Sequence, residues 1–202
     1  MNRPIPTKNQ FEALNKYLGI IEGNLGKARC KDLKEVTNKV LAEKKESVTH
    51  ELAGNLEHEY RMPKEGINIY WPVILDEMNK YFSHNRWQLT GTWVNFQKKH
   101  EFNPPHDHAG IYSFVIWMQI PTSYEEQKKL PICAESNAHG SISNFGFHYT
   151  NSLGRVSQFF YNMEKEAEGY MVMFPSELKH EVFPFYENDG ERISISGNVG
   201  IQ

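Results

Sequence analysis

The chain has 202 residues, 39% of them apolar and 13% aromatic, with a net charge of -3 and a pI near 6.3. That length suits one domain with a small appendage, and the aromatic share is enough for a real core. The near-neutral charge excludes nucleic-acid binding driven by bulk charge.

Cys30 and Cys133 lie far apart and form no CxxC, which is the usage of a reducing cytoplasm. The first residues hold no apolar run suited to a signal peptide. No stretch approaches the roughly 18 apolar residues that span a bilayer. A soluble cytoplasmic protein without a membrane partner is the expectation.

Residues 1–65 read as a helical segment. Phe11, Leu14, Leu18 and Ile21 recur at helical spacing, and Leu33, Val36, Val40 and Leu41 do so again. A turn containing Gly23 and Gly26 joins the two. The Lys/Glu run at 43–46 reads as a solvated face. Pro63 and Gly66 mark a boundary, and residues 66–202 read as the main domain. Trp71-Pro72 begins a further helix, with Pro72 in its first turn and Val73, Leu75, Met78 and Phe82 as its apolar stripe.

From Trp87 onward, short β-branched and aromatic runs alternate with turn clusters. Strands are expected over 87–98, 111–120, 141–148, 156–162, 169–174, 180–185 and 191–199. Many short strands after a helical start predict a mainly β sandwich or barrel, with helices packed outside it. The polar stretch 122–140 reads as a long connection of the kind that carries specificity.

The stretch richest in chemistry is Asn103-Pro104-Pro105-His106-Asp107-His108-Ala109-Gly110. On an extended segment, residues i and i+2 point the same way. His106 and His108 therefore face one point, and Asp107 points away. Two converging imidazoles are half a metal site, and His180, opening a later strand, is the candidate to complete it. On the last strand Arg192, Ser194 and Ser196 share one face and Ile193 and Ile195 the other. An Arg with a hydroxyl two residues on, facing inward, makes a fork and a donor suited to a small carboxylate. Asn95, on a strand before the site, reads first as structural, with the co-substrate within its reach as the alternative. His50, His58, His84, His100, His139 and His148 have no such company and read as structural or solvent-facing.

The order of these motifs resembles the 2-oxoglutarate and iron(II)-dependent oxygenase superfamily. More narrowly, NPPHDHAG…SFVIWMQIP…MVMFPSELKHEVFPF…ERISISGNV looks like the prolyl-4-hydroxylase-like oxygenases encoded by tailed phages. The resemblance covers about 90–200. It implies a double-stranded β-helix, or jelly roll. It implies Fe(II) held by His106, His108 and His180, and 2-oxoglutarate held by Arg192 with Ser194. It further implies O2 as co-substrate and hydroxylation of a substrate that nothing in the chain names. Phe114, Val115, Ile116 and Trp117 would wall the site against water. Position 108 departs from the pattern, since most members carry a carboxylate there. Three readings stay open: an active three-His site, ligation by Asp107 instead, or a degenerate site. A non-catalytic jelly-roll binding module and a cupin-type three-His enzyme are the alternatives, although a cupin has no need of the Arg-x-Ser pair.

Overall fold

A computed structural model describes residues 8–83, 86–134 and 141–202. His84 and His139 lie outside the described residues. Two antiparallel sheets form the frame. The strands are β1 (Ile21–Asn24), β2 (His58–Arg61), β3 (Trp87–Gln97), β4 (Asn103–His106) and β5 (Tyr112–Gln119). They continue with β6 (Phe145–Thr150), β7 (Val156–Tyr161), β8 (Tyr170–Pro175), β9 (His180–Val182) and β10 (Arg192–Ile201). The larger sheet has six strands in the order β1-β8-β5-β10-β3-β2, and the smaller has four in the order β4-β9-β6-β7. From β3 onward the chain changes sheet at every step except from β6 to β7, which pair with each other in the small sheet, and this is the jelly-roll winding that the resemblance implies.

Strand alternation then sorts the side chains into two layers. On one face of the large sheet Val94, Phe96, Ile116, Ile193 and Ile195 pack with Leu33, Val36, Tyr70 and Ile74. Those last four come from two helices, α2 (Lys27–Glu43) and α3 (Lys64–Asn79). On the other face Val115, Trp117, Val172 and Phe174 meet Phe145, Phe147 and Phe159 of the small sheet. β5 and β10 are central and covered on both sides, so β5 reads as a nearly unbroken apolar run. The four residues Phe114 to Trp117 therefore do not form one wall. Val115 and Trp117 face the space between the sheets, while Ile116 packs on the helix side.

The N-terminal stretch is not purely helical. Between α1 (Lys8–Leu18) and α2 the chain adds β1 to β8, and before α3 it adds β2 to β3. Four residues are too few for a period-2 signal, and both strands sit at the sheet edges. Gly26 precedes α2 at φ 78, a conformation that favours glycine. The third helix begins at Lys64, immediately after Pro63, rather than at Trp71. Pro72 thus lies mid-helix, on the exposed side, where the carbonyl it leaves unpaired meets water. β4 takes up the extended segment that carries His106. Its two prolines cannot donate to a ladder, and they coincide with the register irregularity between Asn103 and His106 on this edge strand. No helix among the described residues is long and apolar enough to cross a membrane.

Candidate active site

β4 and β9 pair antiparallel with His106 directly opposite His180. Cross-strand partners share a face, so their rings approach, with centroids 4.3 Å apart. His108 lies just past β4, where its N–H donates to Ser176 O at 2.9 Å. Gly110 closes that loop at φ 116, and a Cβ there would come within 3.1 Å of Val199 O. The His108 ring stands 4.9 Å from His106 and 5.0 Å from His180. One nitrogen from each of the three rings lies within 4.8 Å of the others.

Hydrogen bonding sets the tautomers of two of them. A carbonyl only accepts, so His106 Nδ1 donates to Pro104 O at 2.7 Å and His180 Nδ1 to Leu178 O at 3.0 Å. Each Nε2 then carries a free lone pair, as a metal ligand requires. Burial disfavours the imidazolium at all three. It lowers the His106 pKa, and with the neighbouring His106 it lowers His108 to about 4. It takes His180, 4% exposed, well below the ordinary histidine value, again with help from His106. Asp107 points away, as alternation requires. Its carboxylate is exposed and binds Lys179 Nζ at 2.7 Å.

Arg192 and Ser194 line the same cavity as the three histidines. Arg192 is 2% exposed, and among the described residues it has no carboxylate partner. Its Nη1 donates to Gln97 Oε1 (3.2 Å) and Phe183 O (3.5 Å). Its Nη2 donates to Ser143 O (2.6 Å) and Ser143 Oγ (3.3 Å). Nε alone has no partner. Burial pushes the guanidinium pKa down to about 9, which leaves it cationic at neutral pH. The terminal fork foreseen for a ligand is thus already engaged by the protein, and the open donor is Nε–H. Asn95 is in the cavity wall too, donating to Ser194 Oγ at 3.1 Å.

Three contributors escaped the sequence reading. Gln97 was findable, because it continues the alternation of Trp93 and Asn95 on β3. Ser143 follows the long connection and had no local signal; it adopts φ 62 and turns its carbonyl onto Arg192. Leu56, from the stretch ahead of β2, lines the cavity and ties the N-terminal segment to the site. The histidines expected to be structural have other company. His148 Nε2 sits 2.7 Å from Glu181 Oε1, His58 Nδ1 lies 3.3 Å from Tyr60 Oη, and His100 packs on Tyr186. His50 is exposed.

Glu59 is an oddity next to this wall. It lies opposite Asn95 in the β2–β3 register, is fully buried, and has no partner for either carboxyl oxygen. Burial, then repulsion from Glu101, raises its pKa from 4.5 to about 7. The folded chain thus holds this proton more tightly than the unfolded one. Stability falls as pH rises from about 4.5 to 7 and levels off above, a loss of about 3 kcal/mol. Glu59→Gln is expected to raise the melting temperature at pH 8 by several degrees and to flatten its pH dependence. Thermal scans from pH 5 to 8 check this, and an unchanged slope would remove the assignment.

The fold is that of the double-stranded β-helix class. Over residues 91–198 the sequence matches the family described as "Putative 2OG-Fe(II) oxygenase", more than half of the chain. The chain belongs to this 2OG-Fe(II) oxygenase family, which uses Fe(II) and 2-oxoglutarate. Similar solved structures include a Pseudomonas putida prolyl-4-hydroxylase, at 14% identity and TM-score 0.56, covering 93% of this chain and 95% of that one. A Trichoplax adhaerens prolyl hydroxylase, solved with a hypoxia-inducible-factor degradation-domain peptide, has 11% identity and TM-score 0.58, covering 96% and 92%. The α-ketoglutarate-dependent epimerase SnoN of nogalamycin biosynthesis has 12% identity and TM-score 0.61, covering 95% and 81%. At such identities the likeness is one of fold. No curated protein matches by sequence.

Proposed function

We propose that the chain is an Fe(II)- and 2-oxoglutarate-dependent dioxygenase acting as a hydroxylase, with His106, His108 and His180 as metal ligands and Arg192 with Ser194 as the seat of the distal carboxylate. One observation carries the reading. Three neutral imidazoles converge in a cavity that also buries a guanidinium without a carboxylate partner. An uncompensated buried cation is costly, and a bound carboxylate is what offsets it.

The donor set suits the metal. Imidazole nitrogen binds Fe(II) well, and three ligands from one side leave positions open for a chelating keto acid and for O2. With a His at 108 in place of the common carboxylate, the protein adds no negative charge and the keto acid supplies the anions. When bound, Fe(II) with 2-oxoglutarate would supply oxidative decarboxylation of the keto acid to succinate and CO2, with one atom of O2 going into succinate and the other into a substrate C–H bond as a hydroxyl. The chain's own residues do the rest. Arg192 Nε–H and the Ser194 hydroxyl orient the far carboxylate. The carbonyls of Pro104 and Leu178 hold two imidazoles in the ligating tautomer. Val115, Trp117, Phe145 and Phe174 keep water from the reacting centre.

Hydroxylation is favoured by the prolyl hydroxylases among the structural neighbours, and a prolyl or other peptide residue is one substrate class this suggests. The motifs between about 90 and 200 support a likeness to phage-encoded members, and for a phage-encoded enzyme the host cytoplasm is the compartment we propose. A cupin-type enzyme needs no carboxylate receptor such as Arg192 with Ser194, and keto-acid-dependent succinate release separates the oxygenase from a non-catalytic binding module. Titration of anaerobic protein with Fe(II) and 2-oxoglutarate should raise a weak visible charge-transfer band, and aerobic turnover should release succinate. Absence of both from metal-loaded protein would sink the proposal.

A further inference from the structure

Asn95 stands in the middle of the co-substrate wall, and the reading above gives it no task. It is 7% exposed and lies opposite Ser194 in the β3–β10 register. Its Nδ2 donates to Ser194 Oγ at 3.1 Å and to Ser196 Oγ at 3.0 Å, which uses both amide hydrogens. A hydroxyl that accepts a hydrogen bond still has its own proton to give. Both serines line the cavity, so both are left as donors toward it.

The two hydroxyls serve different ends of the cavity. Residues i and i+2 on a strand are about 7 Å apart. Arg192 donates to Phe183 O, beyond the far end of β9 from His180, so its end of the row lies away from the histidines. Ser196 pairs in register with Trp93, whose ring is 5.7 Å from that of His108. Ser194 thus sits beside the Arg192 end and Ser196 toward the imidazoles.

We propose that Asn95 is a positioning residue that sets the polarity of two hydroxyls, so that Ser194 donates to the distal carboxylate of the keto acid and Ser196 to the carboxylate beside its keto group. This rests on the 2-oxoglutarate reading and extends it from one carboxylate to two. Were the amide reversed, Oδ1 would take both serine protons and the wall would offer lone pairs to an anion. The orphaned atoms argue for the orientation seen. Asn95 Oδ1 is buried without a partner, and Glu59 faces it from β2 with both oxygens unpartnered. In its protonated form, which burial favours up to about pH 7, Glu59 has an O–H to offer on that side of Asn95.

The test is anaerobic binding of 2-oxoglutarate and of pyruvate to Fe(II)-loaded protein, followed by the visible band and by tryptophan fluorescence. Fe(II) affinity and melting temperature are measured alongside. Asn95→Asp would accept both serine protons and add a like charge. It is expected to weaken 2-oxoglutarate binding by about 30-fold or more, a loss of the order of one charge-assisted hydrogen bond or somewhat more. Fe(II) affinity and melting temperature should stay near wild type. Ser196→Ala should weaken both keto acids about tenfold, and Ser194→Ala only 2-oxoglutarate, because pyruvate has no distal carboxylate. Wild-type affinity in Asn95→Asp overturns the proposal. So does a fall in its melting temperature and Fe(II) affinity alongside an unaffected Ser196→Ala, since Asn95 would then be a packing residue. Failure of the wild type to bind 2-oxoglutarate would instead overturn the function proposed above, and this inference with it.

Discussion

His180→Ala is expected to abolish the charge-transfer band and to reduce succinate release by about 1,000-fold or more. Loss of a group that merely supports a metal ligand costs about 10- to 100-fold, and removing the ligand itself costs more. His180 is the most deeply set of the three, 4% exposed and ringed by Phe145, Phe147 and Phe174. The alanine leaves a void among those rings and a free Leu178 carbonyl, so a stability loss of about 1–3 kcal/mol accompanies it. His108→Asp is the control that separates ligation from packing. It places at 108 the carboxylate that most relatives of this superfamily carry, on a residue that makes no side-chain hydrogen bond among the described residues. Retained iron binding, with turnover within about tenfold, is the expected result if position 108 faces the metal. His108→Ala should lose both. If His180→Ala keeps the band, or His108→Ala turns over like wild type, the three-His assignment is wrong. The measurements are anaerobic spectra, metal content after desalting, and succinate yield.

Much of this geometry was readable because it depends on local periodicity. His106 and His108 converge because alternation on an extended segment sends i and i+2 to one side, and the same rule puts Asp107 out on Lys179. The row Arg192, Ser194 and Ser196 obeys it on β10. What alternation does not carry is partnership between distant segments. Nothing near Ser143 announces that its carbonyl will hold Arg192, because the contact exists only once β6 and β10 lie in facing sheets. Leu56 enters the cavity by a stretch with no motif. The edge strands β1 and β2 were missed for a related reason. Each is four residues long, and each becomes a strand because a longer neighbour offers it a row of hydrogen bonds. Pro72 shows the converse error. A local rule placed it at a helix start, whereas burial of Tyr70, Ile74 and Met78 against the sheet extends the helix through it.

Arg192→Met separates function from folding more sharply than any other substitution. Methionine has a similar length and adds no cavity of consequence. Two large effects on stability oppose each other. Removing a buried cation that lacks a carboxylate partner recovers a desolvation cost of several kcal/mol. Against that, the oxygens of Gln97, Ser143 and Phe183 lose their donors, at about 1–3 kcal/mol for each that stays dry. Gln97 and the Ser143 hydroxyl can turn to other partners, so the melting temperature of the ligand-free variant should stay within about 5 °C of wild type. Binding has no such compensation. The variant loses Nε–H and, among the described residues, the only full positive charge in the wall, and 2-oxoglutarate affinity should fall by about 100-fold or more. Thermal shift displays both halves at once. At 100 times its dissociation constant a ligand stabilises its protein by about 2.7 kcal/mol. Wild type with Fe(II) under nitrogen should therefore melt several degrees higher when 2-oxoglutarate is added, while Arg192→Met at the same concentration should not move. Arg192→Lys should fall between them, since one ammonium cannot satisfy four acceptors and a ligand together. An equal shift in wild type and Arg192→Met would mean that the anion binds elsewhere. In that case the buried guanidinium serves only to tie β10 to the Ser143 turn.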